Sequence, residues 1–145
     1  MNKFMEIALE EAYDGINNKE GGPFGCTIVK NGIIVGQGHN QVVRNHDCTC
    51  HGEMQAIRNA CKNLGTFDLS GCDLYTTSEP CPMCKGAIQW ARISKVYYGC
   101  DIVDAANIGF DDKEFYENDV PMERIDYTEC RTLFDEYKSG IHTHY

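Results

Sequence analysis

The chain has 145 residues, and 22 acidic against 13 basic side chains give it a formal net charge of -9. Its length suits one domain with enough residues to bury a core, so we expect a single domain over residues 1–145. The acidic balance argues against a nucleic-acid partner, and no apolar run is long enough to span a membrane. Without a secretory signal at its start, we expect a cytoplasmic protein.

The nine cysteines are an odd number in a chain of this length, which favours reduced thiols and a metal over a disulfide framework. Five of them stand singly among apolar residues, where a thiol usually packs as a small hydrophobic group. We expect these five in the core: Cys26, Cys61, Cys72, Cys100 and Cys130.

Apolar residues at helical spacing predict a first helix over residues 2–17. Asn31-Gly32 then separates two apolar runs, and this dipeptide is the strongest short-range signal for a hairpin of two antiparallel strands. An apolar helix face running from Glu53 to Gly65 predicts a second helix, and the stretch "CDLYTT" beyond it predicts a third strand.

After "EPCPMC" the pattern predicts a helix and then the strand "KVYYG", a crossover that implies parallel pairing and hence a mixed sheet. The stretch "RIDYTEC" at residues 124–130 predicts a fifth strand, and a final helix follows from residue 131. Helices on both faces of a central mixed five-stranded sheet make an α/β fold, a three-layer α/β/α sandwich.

Two stretches, "CHGEMQAIRNAC" and "EPCPMCKGAIQW", bring metal-ligand residue types to the starts of two helices. His51, Cys81 and Cys84 offer one imidazole and two thiolates, which suit zinc, and they leave one coordination position open. Free N–H groups at a helix start favour thiolates. We therefore predict one zinc ion per subunit.

Zinc with an open position lowers the pKa of a bound water towards about 7, which produces a nucleophile at neutral pH. Glu53 lies two residues from the ligand His51, so it is free to take a proton from that water and deliver it to a substrate. Glu53 is the predicted catalytic acid and base.

Two noncatalytic interpretations of the same residues stay open. A Cys-x-x-Cys pair also occurs in redox proteins and in structural zinc knuckles. Cys48 or Cys50 could supply a fourth ligand and close the site, which would make the protein a structural-zinc binding module.

The pairing of His-x-Glu with Pro-Cys-x-x-Cys is a signature of zinc-dependent base deaminases. With the segments "GGPFG", "GHN", "HGE", "TSEPCPMCKGAIQWAR" and "AANIGFDD", the chain resembles the cytidine deaminase superfamily, and within it the bacterial guanine deaminases. The zinc motif alone would indicate only the superfamily. The segment "GFDD" and the C-terminal tyrosine are what point to guanine.

The resemblance implies roles for further residues, which we predict to bind the substrate: Phe24, Asn40, Trp90, Asp112 and Tyr145. Asn40 would hydrogen-bond the purine, and the aromatic residues would lie near its faces. Asp112 would accept from the amino and ring N–H edge of guanine. Alternatively, Phe24 and Trp90 are ordinary core aromatics, and Asp111 and Asp112 cap a helix.

The resemblance also implies a homodimer in which the C-terminal helix and tail, residues 131–145, cross to the partner and carry Tyr145 into its site. The expected reaction is hydrolysis of guanine to xanthine and ammonia, with attack at C2 and protonation of N3 by Glu53. Guanosine, cytosine or adenosine in tRNA remain alternative substrates. The charge of -9 argues against tRNA.

Overall fold

Seven helices and four strands follow one another in the computed structural model, which describes residues 1–145. In chain order they are α1 (Lys3–Asn17), β1 (Gly25–Lys30), β2 (Ile33–His39), α2 (Val42–Asn45), α3 (Gly52–Leu64), β3 (Cys72–Ser78), α4 (Pro82–Trp90), β4 (Lys95–Cys100), α5 (Ile102–Asn107), α6 (Lys113–Glu117) and α7 (Tyr127–Lys138).

The four strands form one mixed sheet in the order β2-β1-β3-β4. Strand β1 runs antiparallel to both β2 and β3, whereas β3 and β4 are parallel and joined through α4. Asn31 and Gly32 form the turn between β1 and β2 with φ angles of 51° and 77°, as a two-residue hairpin with two positive φ angles requires. The predicted hairpin and mixed sheet are confirmed.

Helices cover both faces of the sheet. A Cβ added at Gly25 would lie 1.9 Å from the carbonyl oxygen of Ala8, so α1 packs directly on the backbone of β1. On the opposite face, a Cβ at Gly36 would lie 2.6 Å from the backbone nitrogen of Ala60 in α3. Small residues at both contacts let the helix axes approach the strands closely.

The main core lies between the sheet and the layer formed by α3 and α4. Its nine buried members come from strands β1 and β3, from helices α3 and α4, and from the loops that follow these two helices: Cys26, Ile28, Ala56, Ala60, Leu69, Cys72, Leu74, Ile88 and Ala91. This packing fixes the first turns of α3 and α4 side by side above the sheet.

The predicted fifth strand at residues 124–130 is wrong. The structure has an irregular segment there, and helix α7 begins at Tyr127. Cys130, Leu133, Phe134 and Tyr137 recur at helical spacing in a run without glycine or proline, and a helix satisfies its backbone hydrogen bonds without a neighbouring strand. The short β-like run is too brief to outweigh that pattern.

Two of the five cysteines expected in the core are exposed, because Cys100 lies at the end of the edge strand β4 and Cys130 lies in α7. Cys26 and Cys72 are fully buried, as predicted, and Cys61 is half-buried. None of the helices combines the length and the apolar character that crossing a membrane would require.

Candidate active site

Two helix starts converge on one point above the end of β3. His51 is the N-cap residue of α3 and Cys81 is the N-cap residue of α4, with Pro82 at the first helical position. Neither side chain makes a capping hydrogen bond to the first turn of its own helix. Cys84 lies in the first turn of α4 and is fully buried.

The ligand atoms of these three residues lie within 4.8 Å of one another. His51 Nδ1 lies 3.6 Å from the Sγ atom of Cys81 and 3.6 Å from that of Cys84. Tetrahedral zinc, with bonds of about 2.3 Å to sulfur and about 2.0 Å to nitrogen, separates such atoms by about 3.5 Å. The donor set and its spacing fit zinc.

The three side chains also perturb one another's protonation. Hydrogen bonding with Cys84, supported by His51 and opposed by burial, lowers the pKa of Cys81 to about 4. The contact with Cys81, together with burial, raises the pKa of Cys84 well above its ordinary value, and the contact with Cys81 raises that of His51. A cation bound here would displace these shared protons, because metal ligands must be deprotonated.

Glu53 lies in the first turn of α3 and is 5% exposed. Its Oε1 accepts a hydrogen bond of 2.6 Å from the hydroxyl of Thr76, which projects from β3 and is itself fully buried. Glu53 does not belong to the group of convergent ligand atoms. A buried carboxylate oriented by a neighbour and not required as a ligand is suited to moving protons.

The site opens into a cavity of about 900 Å³. His51, Glu53 and Cys81 line it together with three of the predicted substrate-binding residues, Phe24, Asn40 and Asp112: the structure therefore brings these six residues to one space. Most of the remaining lining is apolar, as expected for a pocket that takes a planar base.

Asn40 lies 6% exposed in the wall of this cavity. Its Oδ1 accepts a hydrogen bond of 3.1 Å from the backbone N–H of Val42, and its backbone N–H donates to the carbonyl of Phe24 at 2.9 Å. Its Nδ2 group donates to no protein atom and remains available in the cavity. Asn40 can therefore act as a hydrogen-bond donor to a ligand.

Asp112 precedes α6 but makes no capping hydrogen bond, so the helix-cap interpretation does not hold for it. Asp111 instead accepts from the backbone N–H of Lys113 at 3.2 Å. The Tyr116 hydroxyl donates to the carbonyl of Pro80 at 3.1 Å and ties α6 to the loop before the cysteine pair; burial raises its pKa to about 12. The carboxylate of Asp112 is left free in the cavity.

Comparisons with known proteins show which family the chain belongs to. Residues 1–100 match the family described as the cytidine and deoxycytidylate deaminase zinc-binding region. The chain belongs to this deaminase family. The membership inferred from the sequence is thereby confirmed.

Among individual relatives, the chain is similar to the guanine deaminase of Bacillus subtilis (strain 168), with 43% identity over 94% of this chain and 92% of the relative. The X-ray structure of guanine deaminase from that organism superposes with a TM-score of 0.92 at 41% identity, over 100% of this chain and 99% of the other.

Two further relatives match less of the chain or match it at lower identity. The tRNA-specific adenosine deaminase of Aquifex aeolicus (strain VF5) is 45% identical over 66% of this chain and 62% of its own length. A solved structure in complex with 2,6-diaminopurine has a TM-score of 0.72 at 28% identity, covering 98% of this chain and 83% of the other. The match to guanine deaminase therefore extends over more of the chain than the match to the tRNA enzyme.

Trp90 and Tyr145 lie outside the cavity of this deaminase. Trp90, at the end of α4, is 65% exposed, and its ring centroid lies 6.0 Å from that of Tyr145, which is 72% exposed. Both residues instead line a shallow groove with Leu133, Phe134 and Tyr137 of α7. Within one chain the structure does not bring these two predicted residues to the metal-ligand group.

Neither Cys48 nor Cys50 belongs to that ligand group. The thiol of Cys50 is buried and lies 3.6 Å from the side-chain amide of Asn45 and 3.8 Å from the guanidinium of Arg58. Cys48 is exposed at the rim of the cavity. The structure therefore provides three convergent protein ligands, as the open zinc site requires.

Two residues of the site escaped the sequence analysis. Thr76 contacts Glu53 from β3, but its position in an ordinary alternating strand carries no signal of that contact. Phe110 packs edge-on against Phe24 with ring centroids 5.0 Å apart and lines the cavity. Its place in the segment "GFDD", two residues before Asp112, could have revealed it.

Proposed function

We propose that this deaminase hydrolyses guanine to xanthine and ammonia. The main support is that Glu53, Asn40 and Asp112 line the same cavity, and that His51 of the ligand group lines it too. The similarity to a guanine deaminase over 94% of the chain supports the choice of base.

His51, Cys81 and Cys84 are the residues that would hold zinc. When bound, zinc supplies Lewis-acid activation of water, which lowers the pKa of the water towards about 7. Cys48 and Cys50 lie outside the ligand group, so the chain would supply three ligands to the ion and leave room for a water molecule. We also propose one such ion per subunit.

The carboxylate of Glu53 moves the protons of the reaction. It takes one from the water that attacks C2 of guanine and delivers it to N3. It then takes the second from the hydroxyl now bonded to C2 and delivers it to the amino group, so that the C2 carbonyl forms as the C–N bond breaks and ammonia leaves. Water is consumed, and the C2 carbon exchanges its bond to nitrogen for a bond to oxygen. The hydroxyl of Thr76 holds the carboxylate for both transfers.

Recognition of guanine divides between the two polar side chains of the cavity wall. Asp112 accepts hydrogen bonds from the ring N1–H and the 2-amino group of guanine, because both groups are donors and a carboxylate is an acceptor. Asn40 donates through its unoccupied Nδ2 to an acceptor of the purine. Phe24 and Phe110 supply apolar surface for the planar ring.

A homodimer with exchanged C-terminal segments belongs to the same proposal. Helix α7 packs extensively against no other element, and Leu133, Phe134 and Tyr137 are 63%, 71% and 53% exposed. A second copy that covers this apolar face would bury it. Residues 131–145 would then carry Tyr145 towards the partner's cavity and exclude water from it. We also propose that residues 1–145 form a single deaminase domain, of which residues 131–145 are the exchanged helix and tail.

A cytoplasmic location is also proposed, because all nine thiols are free, as in a reducing compartment. The charge of -9 argues against a polyanionic partner such as tRNA, since phosphate backbones are bound mainly by basic side chains.

Ammonia release tests the proposed function. Zinc-loaded protein is incubated with guanine, guanosine, adenine, cytosine and tRNA, and xanthine is identified by chromatography. We expect turnover of guanine, with adenine, cytosine and tRNA slower by at least about 100-fold, because the wrong base leaves Asp112 or Asn40 unpaired. Guanosine presents the same base edge as guanine, so its rate measures whether the cavity has room for the ribose. Faster release from cytosine or from tRNA, or none from guanine, would contradict the proposal.

A further inference from the structure

His39, the last residue of β2, lies between two carboxylates. Its Nδ1 lies 2.6 Å from Oε2 of Glu11 in α1, and its Nε2 lies 2.5 Å from Oε2 of Glu20 in the loop after α1. The side chains of His39, Glu11 and Glu20 are 16%, 16% and 12% exposed. None of the three has a role in the proposed chemistry.

Contacts at both ring nitrogens require the imidazolium form of His39. A neutral imidazole has one N–H, so one nitrogen lone pair would face a carboxylate oxygen. Burial alone would lower the pKa of His39, but the hydrogen bonds to Glu11 and Glu20 outweigh it and raise the pKa above its ordinary value. Arg44 of α2 is the further charged group in this cluster, and it faces Glu20 at 2.9 Å.

The same cluster connects two segments of the cavity wall, the loop that begins at Glu20 and the segment that begins at Asn40. Glu20 accepts from the side-chain amide of Gln41 at 2.8 Å, and its carbonyl accepts from the backbone N–H groups of Val43 and Arg44 at 3.0 Å each. These residues follow Asn40 directly. A Cβ added at Gly21 would lie only 2.1 Å from Asn40 Oδ1, so the loop beginning at Glu20 packs directly against that amide.

We infer that the His39 imidazolium is a positioning residue, which fixes Asn40 and the loop of residues 20–24 for purine binding by joining Glu11 to Glu20. The inference rests on the proposed function, because it assigns Asn40 to the substrate. His39 lies outside the cavity and therefore acts only through its neighbours. Its loss should weaken binding of substrate and transition state alike, which raises KM and leaves kcat nearly unchanged.

The kinetic test compares His39→Asn with His46→Asn. His46 is an exposed histidine that makes no side-chain hydrogen bond, and asparagine tolerates its positive φ of 49°. For His39→Asn we expect about a tenfold higher KM for guanine, with kcat and zinc content within about twofold of the wild type. The control should match the wild type. A KM unchanged by His39→Asn, or a loss confined to kcat, would overturn the inference.

A second measurement asks whether His39 acts through Asn40. If it does, the double variant His39→Asn with Asn40→Ala should raise KM little more than Asn40→Ala alone, because interacting residues are not additive. Additive effects would overturn the inference. In the wild type, KM should rise with pH as the His39 imidazolium loses its proton. Glu11→Gln keeps the shape of the side chain but removes a charge that favours the imidazolium, so it should move this rise in KM to lower pH.

Amide hydrogen exchange separates this inference from the proposed function. In His39→Asn, the backbone amides of residues 20–24 and 40–44 should exchange at least about tenfold faster than in His46→Asn, with the strands unchanged. This result requires no substrate. Absence of guanine turnover in the wild type would end the proposed function alone, whereas unchanged exchange in these two segments would end the inference about His39.

Discussion

The hydroxyl of Thr76 lies 2.6 Å from Oε1 of Glu53, and both side chains are withdrawn from solvent. Thr76 comes from the central strand β3 and Glu53 from the first turn of α3. The contact therefore connects the carboxylate proposed to move protons to an inner strand of the sheet. Residues that orient a reacting group in this way commonly affect activity about 10- to 100-fold.

Thr76→Val should lower kcat for guanine by about tenfold or more while zinc stays bound, because the Glu53 carboxylate loses the donor that orients it. Thr27→Val is the matched control. Thr27 is equally buried on β1, and its hydroxyl has no partner, so its removal should leave activity and stability unchanged or slightly improved. Equal kcat values for both variants would exclude the orienting role.

Glu53→Gln should abolish proton transfer and lower kcat by about 100- to 10,000-fold, because glutamine keeps the shape but cannot carry the proton. Zinc measured by atomic absorption should stay near one ion per chain, since Glu53 lies outside the ligand group. A variant that deaminates guanine at the wild-type rate would disprove the assigned role, and one that loses zinc would make Glu53 a ligand.

X-ray absorption at the zinc edge should resolve two sulfur donors, one imidazole and one exchangeable light atom. A chelator should abolish activity and lower the thermal midpoint, because an ion present at a thousandfold its Kd stabilises the folded state by about 4 kcal/mol. Readdition of zinc should restore both. A third sulfur donor, from Cys48 or Cys50, would instead indicate a closed structural site.

The His39 cluster should make stability depend on pH. Folding raises the pKa of His39. The contribution of His39 to the free energy of unfolding is therefore complete below the pKa of an unfolded histidine and is lost as pH rises through the pKa in the folded state. The hydrogen bond with His39 lowers the pKa of Glu20, whose contribution is lost as pH falls through its folded value. Between these limits, urea unfolding should show His39→Asn less stable than His46→Asn by about 1–3 kcal/mol. A difference independent of pH would refute the charged cluster.

Exchange of the C-terminal segment predicts complementation between two defective chains. A Glu53→Gln chain keeps its tail, and a chain ending at Lys138 keeps Glu53 and the three residues of the ligand group. When mixed after partial unfolding and refolding, they should form heterodimers in which the first chain's tail closes the second chain's cavity, and activity should exceed the sum of the two separate chains. Activity that never exceeds that sum would show that each tail serves its own chain.

Light scattering provides the control for that experiment. The wild type should have the mass of a dimer, because Leu133, Phe134 and Tyr137 leave an apolar face uncovered in a single chain. A monomeric wild type with full activity would rule out both the dimer and the exchanged tail.

The local sequence determined the elements whose signals lie within a few residues. Helix α1, the hairpin turn at Asn31 and Gly32, and the parallel crossover through α4 all follow from short-range periodicity and turn chemistry. The ligand types also follow from sequence, because the spacing of Cys81 and Cys84 at a helix start is itself a local pattern.

Tertiary structure alone decided which distant residues meet. Thr76 and Glu53 are 23 residues apart, and His39 and Glu11 are 28 apart, so no local pattern connects them. The strand predicted at residues 124–130 failed for a related reason, since a strand depends on a neighbour elsewhere in the chain, whereas helix α7 satisfies its own backbone. Sequence thus supplied the chemistry of the site, and packing across the sheet supplied its geometry.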